Sequence, residues 1–345
     1  MPGHLRPASA PATPHEGLTT PPDRAGRRGA PDALAEVCRR FASHPGLAAK
    51  ADIGLVADVL GPTDWVGGPG DDAAVLPDGE GRVLVAGEAI LPAFVAADPF
   101  GAGAAAVVAN VNDIAATGGR TLAIVDTVVG PEPVARRALE GMAFAAGLYG
   151  VPIVGGHLTV SDVTPAVSAF AVGRAGSVLS AAAVAPGQRL LVAACLEGEL
   201  RGDFPFYTCL RRRGALLAGD VALLADVAES GAALAAKDVS MAGLLGSLAM
   251  LLEPTGCGAR VDLGAIPRPP GVGLADWTAA YLSYGFLLSV PPAHASACEA
   301  MFHARGLACA QAGTIDGSGR IVVHLDDEEA EILDLGARRI TNLYS

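Results

Sequence analysis

Aromatic residues and positive charge are both scarce in this chain of 345 residues. Phe, Trp and Tyr make up 5% of it, while 51% of the residues are hydrophobic, so Ala, Gly, Val and Leu must supply most of the core. The 24 Lys and Arg residues are outnumbered by 36 Asp and Glu residues, which gives a formal net charge of −12. Because binding to the nucleic-acid backbone depends on basic side chains, we expect no nucleic-acid partner.

Cysteine motifs and long apolar runs are also missing. The six cysteines form no CxxC pair, and no His lies at zinc-finger spacing, so we expect single thiols in a reducing cytoplasm. No apolar run reaches the roughly 18 residues that suggest a membrane-spanning helix, and we expect no membrane partner. Residues 1–30 are rich in Pro, Ala, Thr and Arg and lack the apolar core of a secretory signal. We therefore expect a disordered leader and a cytoplasmic location.

Helical and strand patterns alternate along the rest of the chain and predict two layered domains. Residues 31–176 contain one such series, which predicts an α/β N-terminal domain. Residues 177–330 contain a second series of similar size, which predicts a C-terminal domain. A short helix-like tail over residues 331–345 is expected to complete the chain.

Two adjacent aspartates follow a glycine-rich stretch in the segment GGPGDDAAVLP, which begins at Gly67. Asp71 and Asp72 raise each other's cost of ionisation unless a cation offsets them, and Mg²⁺ is the natural cation for oxygen ligands. Gly67, Gly68 and Gly70 allow the backbone to approach a ligand closely. The segment predicts a metal and phosphate site. The alternative is an exposed turn, in which Gly and Asp are common.

Two further acidic residues stand in apolar surroundings. Asn112 and Asp113 lie in a predicted helix whose preceding turns are nearly all Ala and Val. Glu88 lies on the predicted strand RVLVAGEAIL. A carboxylate in an apolar element is usually paired, capped or functional. Asp113 and Glu88 are therefore candidate metal ligands. The alternative for each is a side chain that faces solvent.

The segment GGHLTV offers a candidate turn. Gly155 and Gly156 are expected to end a strand, and a turn of this kind brings backbone N–H groups close to phosphate. His157 follows them directly. An isolated His is more often structural than functional, so its assignment stays open.

The segment KDVSMAG precedes a predicted helix. Asp238 or Ser240 is expected to be the N-cap of that helix. A helix N-terminus also attracts phosphate, and Lys237 supplies a positive charge nearby. The alternative is a capping role alone.

Together the segments GPGDDAAVL, VNDIAATGG, GGHLTV and KDVSMAG resemble, in content and order, the AIR synthetase-like (PurM-like) ATP-binding superfamily. This superfamily includes aminoimidazole ribonucleotide synthetase, thiamine-monophosphate kinase, selenophosphate synthetase and a hydrogenase maturation factor. The resemblance covers about Asp52 to Val323. It implies an α/β N-terminal domain and an α+β, ferredoxin-like C-terminal domain. It also implies a homodimer whose N-terminal sheets join into a barrel, with ATP and Mg²⁺ near the interface.

The resemblance also assigns roles to individual residues. Metal binding is implied for the acidic residues Asp71, Asp72, Glu88 and Asp113. Nucleotide binding is implied for Gly67, Gly68, Gly70, Asn112, Gly155, Gly156, His157, Lys237, Asp238 and Ser240. The implied reaction is ATP-dependent phosphoryl transfer, in which catalysis consists mostly of positioning and charge neutralisation.

Several departures from the patterns of individual family members leave the substrate open. Glu88 stands where thiamine-monophosphate kinases have the Asp of a Thr-Asp pair. His157 replaces the Asp of their GGD motif, and Ser240 begins SMA where they have SDG. The glycine loop also lacks the Cys and Lys of selenophosphate synthetases, and the GGET motif of AIR synthetases is absent. We predict an enzyme of a subgroup without an assigned substrate, which uses ATP and Mg²⁺ to phosphorylate or activate a small metabolite. The alternatives are a thiamine-monophosphate kinase and a catalytically inactive, nucleotide-binding regulatory subunit.

Overall fold

A computed structural model provides the architecture of the chain. It describes residues 32–61, 70–79, 81–202 and 204–343. The expected leader over residues 1–30, and the glycines Gly67 and Gly68, lie outside the described residues. None of the described helices is both long and apolar enough to cross a membrane. All six cysteines are unpaired thiols, as the sequence predicts.

The described chain alternates between helices and strands. The helices are α1 (Ala33–Ala42), α2 (Pro45–Lys50), α3 (Gly54–Leu60), α4 (Pro92–Ala97), α5 (Pro99–Ala116), α6 (Glu132–Tyr149), α7 (Leu210–Arg213), α8 (Leu217–Glu229), α9 (Gly243–Leu252), α10 (Leu274–Ala279) and α11 (Ala295–His303). The strands are β1 (Ala74–Asp78), β2 (Gly81–Ile90), β3 (Arg120–Gly130), β4 (Ile153–Val160), β5 (Ala166–Ala175), β6 (Arg189–Ala194), β7 (Glu199–Leu200), β8 (Phe206–Thr208), β9 (Ala235–Asp238), β10 (Gly258–Asp262), β11 (Tyr281–Leu282), β12 (Gly285–Val290), β13 (Ala308–Asp316), β14 (Arg320–Leu325) and β15 (Glu328–Asp334).

The N-terminal sheet has five strands in the order β1-β2-β5-β3-β4. Its pairs are antiparallel except β3 and β4, which are parallel. Helices α5 and α6 pack against each other beside this sheet. Their close approach requires small residues, because a Cβ on Gly103 would lie 1.9 Å from the carbonyl oxygen of Ala138. A Cβ on Gly141 would come equally close, at 1.9 Å, to the carbonyl oxygen of Phe100. The scarcity of aromatic residues in the sequence is explained in part by this close packing of helices.

The C-terminal sheet has seven strands in the order β15-β14-β10-β13-β6-β12-β9. One face packs against α8 and α11, and the other packs against α1, α9 and α10. A small third sheet of β11, β8 and β7 lies beside it. The mixed two-domain architecture agrees with the predicted fold class.

The two ends of the described chain depart from the predictions. The expected helix-like tail is wrong in its first residues, because β15 pairs antiparallel with β14 and buries Leu333. At the other end, α1 packs against α10 and β15 of the C-terminal sheet, although residues 31–176 were predicted to form one N-terminal domain. Leu34, Val37 and Phe41, which are spaced three and four residues apart, form the buried face of α1.

Candidate functional site

Three aspartates meet at the boundary between the two domains. Asp72 lies two residues before β1, Asp113 lies in the last turn of α5, and Asp238 ends β9. One carboxylate oxygen from each lies within 4.8 Å of the other two. The loop that carries Asp72 is fixed to the end of α5, because the backbone N–H of Ala73 donates to Thr117 Oγ1 at 3.1 Å. Thr117 in turn donates to the backbone oxygen of Asp113 at 2.9 Å.

Lys237 places a positive charge among these carboxylates. Its Nζ contacts Asp72 Oδ1 and lies 2.9 Å from Asp238 Oδ1. The backbone N–H of Asp238 donates to Asp72 Oδ2 at 3.1 Å. Burial lowers the pKa of Lys237, but the carboxylates of Asp238, Asp72 and Asp113 outweigh burial and raise that pKa overall. The ammonium therefore stays charged and forms a permanent part of the cluster.

One ammonium does not balance the three carboxylates. Burial raises the pKa of Asp72 to about 7, although Lys237 opposes this change. Burial also raises the pKa of Asp113 well above its ordinary value, and the nearby Asp238 and Asp72 carboxylates raise it further. Full ionisation of the cluster is unfavourable unless a further cation is present.

The donor set fits a hard divalent cation. Asp238 Oδ2 is buried and has no hydrogen-bond partner among the described residues. Buried polar atoms are usually satisfied, so such an atom needs an explanation. Three carboxylates and one ammonium leave two negative charges when all are ionised. Oxygen ligands and a charge of −2 are the conditions under which Mg²⁺ binds. Asp72, Asp113 and Asp238 are the residues that would hold it.

A cavity of about 200 Å³ opens beside the cluster. Glu88 from β2 lines it together with Asp113 and Asp238. The restricted hydration of this recess raises the pKa of Glu88, although Lys50 on the cavity wall opposes the change. The remaining wall is mostly apolar and includes Ile90, Leu91, Phe94, Phe204, Phe206, Met241 and Tyr281. An acidic rim therefore adjoins a chamber suited to an apolar or planar group.

Asp71 is a predicted metal ligand that the structure does not bring into the cluster. Its Oδ2 accepts from the Ser180 hydroxyl, and its Oδ1 accepts from the backbone N–H of Ala181, both at 2.7 Å. Neighbouring side chains in extended backbone point to opposite sides. Asp71 thus binds the loop before β6, while Asp72 faces the cluster. This arrangement also limits the repulsion between the two adjacent carboxylates.

Asn112, which was predicted to bind nucleotide, connects α5 to the C-terminal domain. Its Nδ2 donates to the backbone oxygen of Ser283 at 3.2 Å. Its Oδ1 is buried and has no partner in the part of the chain that the structure describes. Asn112 therefore helps to fix the position of Asp113, its neighbour on the helix.

The predicted turn at Gly155 and Gly156 is wrong. Both glycines and His157 lie inside β4, which is an edge strand separated from β2 by β5 and β3. Gly156 is required by close packing, because a Cβ there would lie 2.7 Å from the Asp126 side chain. His157 Nε2 lies 3.1 Å from Thr159 Oγ1. Within one chain, the structure does not bring these residues to the acidic cluster.

The predicted capping of α9 is also wrong. The helix begins at Gly243, its N-cap is Ala242, and no side chain caps it. Asp238 belongs to the acidic cluster instead, and Ser240 lines the cavity. The backbone N–H of Ser240 donates to Ser247 Oγ at 3.1 Å. Of the glycines in the loop before Asp71, Gly70 is described and has a φ of 115°, a conformation that favours glycine.

Two polar residues of the described cavity lining, Lys50 and Tyr281, carry no signal in the sequence. Lys50 ends α2, and its position in the sequence gives no signal of a site. Tyr281 lies in the cavity wall, and its hydroxyl is buried without a partner among the residues described. Both come from segments far from the recognised motifs, so only the tertiary structure reveals them.

Comparison with known proteins agrees with this architecture. Residues 70–175 match the family model "AIR synthase related protein, N-terminal domain", and residues 215–326 match the corresponding C-terminal domain model. The chain is 35% identical over 275 residues to the uncharacterized protein sll0787 of Synechocystis sp., covering 79% of this chain and 85% of that protein.

Two solved structures share the fold. T. maritima PurL complexed with ATP superposes with a TM-score of 0.71 at 18% identity and covers 92% of this chain. This chain spans 53% of that protein, about half its length. The structure titled "AaThiL complexed with AMPPCP and TMP" superposes with a TM-score of 0.60 at 18% identity, covering 80% of this chain and 92% of that one. The two domain matches together span more than half of the chain, and the chain therefore belongs to the AIR synthase-related family.

Proposed function

We propose that this protein is an ATP- and Mg²⁺-dependent enzyme that phosphorylates a small metabolite or activates it through phosphate. The observation that carries the proposal is the buried cluster of Asp72, Asp113 and Asp238 beside an interdomain cavity. Buried like charges are costly, so a protein that retains them needs a cation or a ligand to offset them. The ATP and AMPPCP named for the solved relatives support a nucleotide as that ligand.

The residues at the cluster have different proposed roles in binding Mg²⁺ and ATP. Asp72, Asp113 and Asp238 would hold Mg²⁺, which neutralises phosphate charge in phosphoryl transfer. Lys237 keeps Asp72 and Asp238 oriented and supplies positive charge close to the phosphates. Asp71 fixes the loop through Ser180 and Ala181, so that Asp72 stays in place.

The cavity next to the cluster is the proposed site of the acceptor. With the acceptor bound, its apolar wall would leave little room for water beside the reacting group, which would favour transfer to the acceptor over hydrolysis of ATP. Glu88 stands on the rim, and its raised pKa makes this carboxylate a better proton acceptor than an ordinary glutamate. The bound group would lie between Glu88 and the apolar wall.

We also propose a cytoplasmic homodimer in which the N-terminal sheets join into a barrel. Strand β4 is an exposed edge, and the sheet face that carries Val125, Phe170 and Val172 is open. Uncovered strand edges and apolar faces favour association. The ferredoxin-like description of the C-terminal domain is supported by the order β13-β6-β12-β9, in which β6-α8-β9 and β12-α11-β13 are the two β-α-β units.

The test is an assay of ATP consumption by the full chain against a panel of small metabolites, with Mg²⁺ present. We expect at least one metabolite to stimulate turnover, and we expect Asp113→Asn to reduce that turnover at least about tenfold. If thiamine monophosphate is the one metabolite of the panel that stimulates ATP turnover, the protein is a thiamine-monophosphate kinase. ATP binding without turnover over the whole panel would contradict the enzymatic proposal and favour a regulatory subunit.

A further inference from the structure

A second cavity, of about 360 Å³, lies at the first turn of α5. Gly101 and Phe100 of α5 form one side of it, and Thr208 of β8 forms another. Three arginines complete the lining: Arg201, Arg211 and Arg212. The recognised motifs of the family lie elsewhere in the sequence. In a chain with a net charge of −12, three arginines around one cavity are a marked local concentration of positive charge.

The positive charge of this cavity is only partly neutralised. Arg201 pairs with Asp98, whose other oxygen accepts from the backbone N–H of Gly101 at 2.9 Å. Arg211 and Arg212 have no carboxylate partner within the described residues. Among the described residues, Glu199 is the one other acidic residue of the lining. The described lining therefore carries three positive and two negative side chains, and an anion bound at Arg211 and Arg212 would balance the charge.

Aromatic rings hold one of these arginines in place. The Arg211 Cζ lies 5.1 Å from the ring centroid of Phe144 and 6.0 Å from that of Phe100. The two rings lie 5.6 Å apart, centroid to centroid. Cation–π contacts restrict the guanidinium but leave its N–H groups available. A preorganised guanidinium loses less entropy on binding phosphate or carboxylate, which it matches with two parallel hydrogen bonds.

The arginine-lined cavity and the cavity beside the aspartates share the wall residue Phe206. Helix α5 also runs past both, since Ala104 lines the first and Asp113 lines the second. These two residues are nine positions apart, which corresponds to roughly 14 Å along a helix axis. A metabolite of ordinary size can span that distance. The two cavities are therefore suitably placed to hold two ends of one molecule.

We propose that Arg211 and Arg212, with the Thr208 hydroxyl, bind the phosphate or carboxylate group of the acceptor. The acceptor would then be an anionic metabolite whose reacting end lies at the acidic rim and whose anionic end lies among the arginines. This inference deepens the proposed function and rests on it for the identity of the ligand as acceptor. The anion site itself rests on the arginines alone.

The first experiment measures anion binding without ATP or Mg²⁺. Inorganic phosphate, ribose 5-phosphate and malate are titrated into the full chain by calorimetry, and the last two distinguish a phosphate ester from a carboxylate. We expect at least one to bind, with an affinity at least about tenfold lower in the Arg211→Ala/Arg212→Ala variant. Arg212→Ala alone, which disturbs neither ring, should show a smaller loss in the same direction. Arg338→Ala, an exposed arginine on the C-terminal segment, is the matched control and should bind like the wild type.

Failure of this site and failure of the proposed function give different results. Anion binding that is absent, or equal in the wild type and the double variant, would overturn the arginine site even if Mg·ATP binds. Anion binding that depends on the arginines, without any Mg·ATP binding, would support the site and contradict the proposed function. For a metabolite that stimulates ATP turnover, Arg212→Ala should raise KM at least about fivefold with less change in kcat. A stimulating metabolite without an anionic group would overturn the assignment to the acceptor.

Discussion

Asp113 carries the least compensated charge of the acidic cluster. It is buried in an apolar helix, and Lys237 contacts Asp72 and Asp238 rather than Asp113. Its raised pKa reflects burial first and the two neighbouring aspartates second. Asp113 thus lowers the stability of the ligand-free protein. Such a cost is expected of a side chain that is retained because it binds a ligand.

Replacement of Asp113 by Asn should stabilise the protein in a way that depends on pH. The unfolded chain releases this proton near pH 4, whereas the folded protein holds it to a higher pH. Ionisation therefore costs folded-state stability as pH rises above about 4. Without Mg²⁺, we expect Asp113→Asn to be more stable than the wild type by at least about 1 kcal/mol at pH 8, and equal to it near pH 4.

Urea unfolding at both pH values measures this difference. Asp71→Ala is the comparison, because it removes the acceptor of Ser180 and Ala181 and should destabilise the protein by about 1–2 kcal/mol. An Asp113→Asn variant that is less stable than the wild type at pH 8 would show that the carboxylate is structural.

At the residue scale, the sequence predicted much of the site but not its geometry. Asp72 and Asp113 were predicted as metal ligands, and the structure brings them together with Asp238. The opposite directions of Asp71 and Asp72 depend on the local backbone, which a sequence pattern does not specify. Lys237 was predicted to bind nucleotide, and its contacts with Asp72 and Asp238 are a feature that the sequence does not predict.

At the scale of elements, strong hydrophobic periodicity in the sequence correctly predicted helices and strands. The strand predicted at RVLVAGEAIL is β2, and the helix predicted to contain Asn112 and Asp113 is α5. The glycines of β4 were misleading, because Gly156 serves close packing inside a strand rather than a turn. Strand β15 was missed because its pairing with β14 depends on tertiary contacts.

The start of α9 offers a test of backbone strain. Ala242 is buried and has a φ of 93°, a left-handed conformation that costs a residue with a Cβ about 1–2 kcal/mol. Glycine adopts it freely, although its greater freedom in the unfolded chain offsets part of the gain. We expect Ala242→Gly to raise the free energy of unfolding by about 1 kcal/mol, measured by urea denaturation.

Ala249→Gly provides the matched control on the same helix. Ala249 is buried in the interior of α9, where glycine should cost about 1 kcal/mol or more. If Ala242→Gly destabilises the protein as much as Ala249→Gly does, strain at the start of α9 is not relieved by glycine and the interpretation is wrong.

At the scale of the whole molecule, the N-terminal sheet has one face packed against helices and one open face. Val125 and Phe170 are register partners on this open face, and they are 40% and 46% exposed. Val172 lies beside them on β5 and is 42% exposed. A second copy of the chain would bury this patch, as the proposed barrel requires.

A charge on this face should prevent association. We expect the wild type to have the mass of a dimer in light scattering, and Val125→Lys to have that of a monomer, because a lysine in an apolar interface is costly to desolvate. Leu216→Lys is the control, since Leu216 is 55% exposed on another part of the surface and should leave the dimer intact. A monomeric wild type, with and without ATP, would contradict the proposed dimer.

The proposed function requires the cluster of Asp72, Asp113 and Asp238 to bind a nucleotide through Mg²⁺. The most direct test is calorimetric titration of ATP into the full chain, with Mg²⁺ and then with a chelator. We expect binding with Mg²⁺ and an affinity at least about tenfold lower without it. Absence of binding in both conditions, or equal affinity in both, would contradict the proposed function.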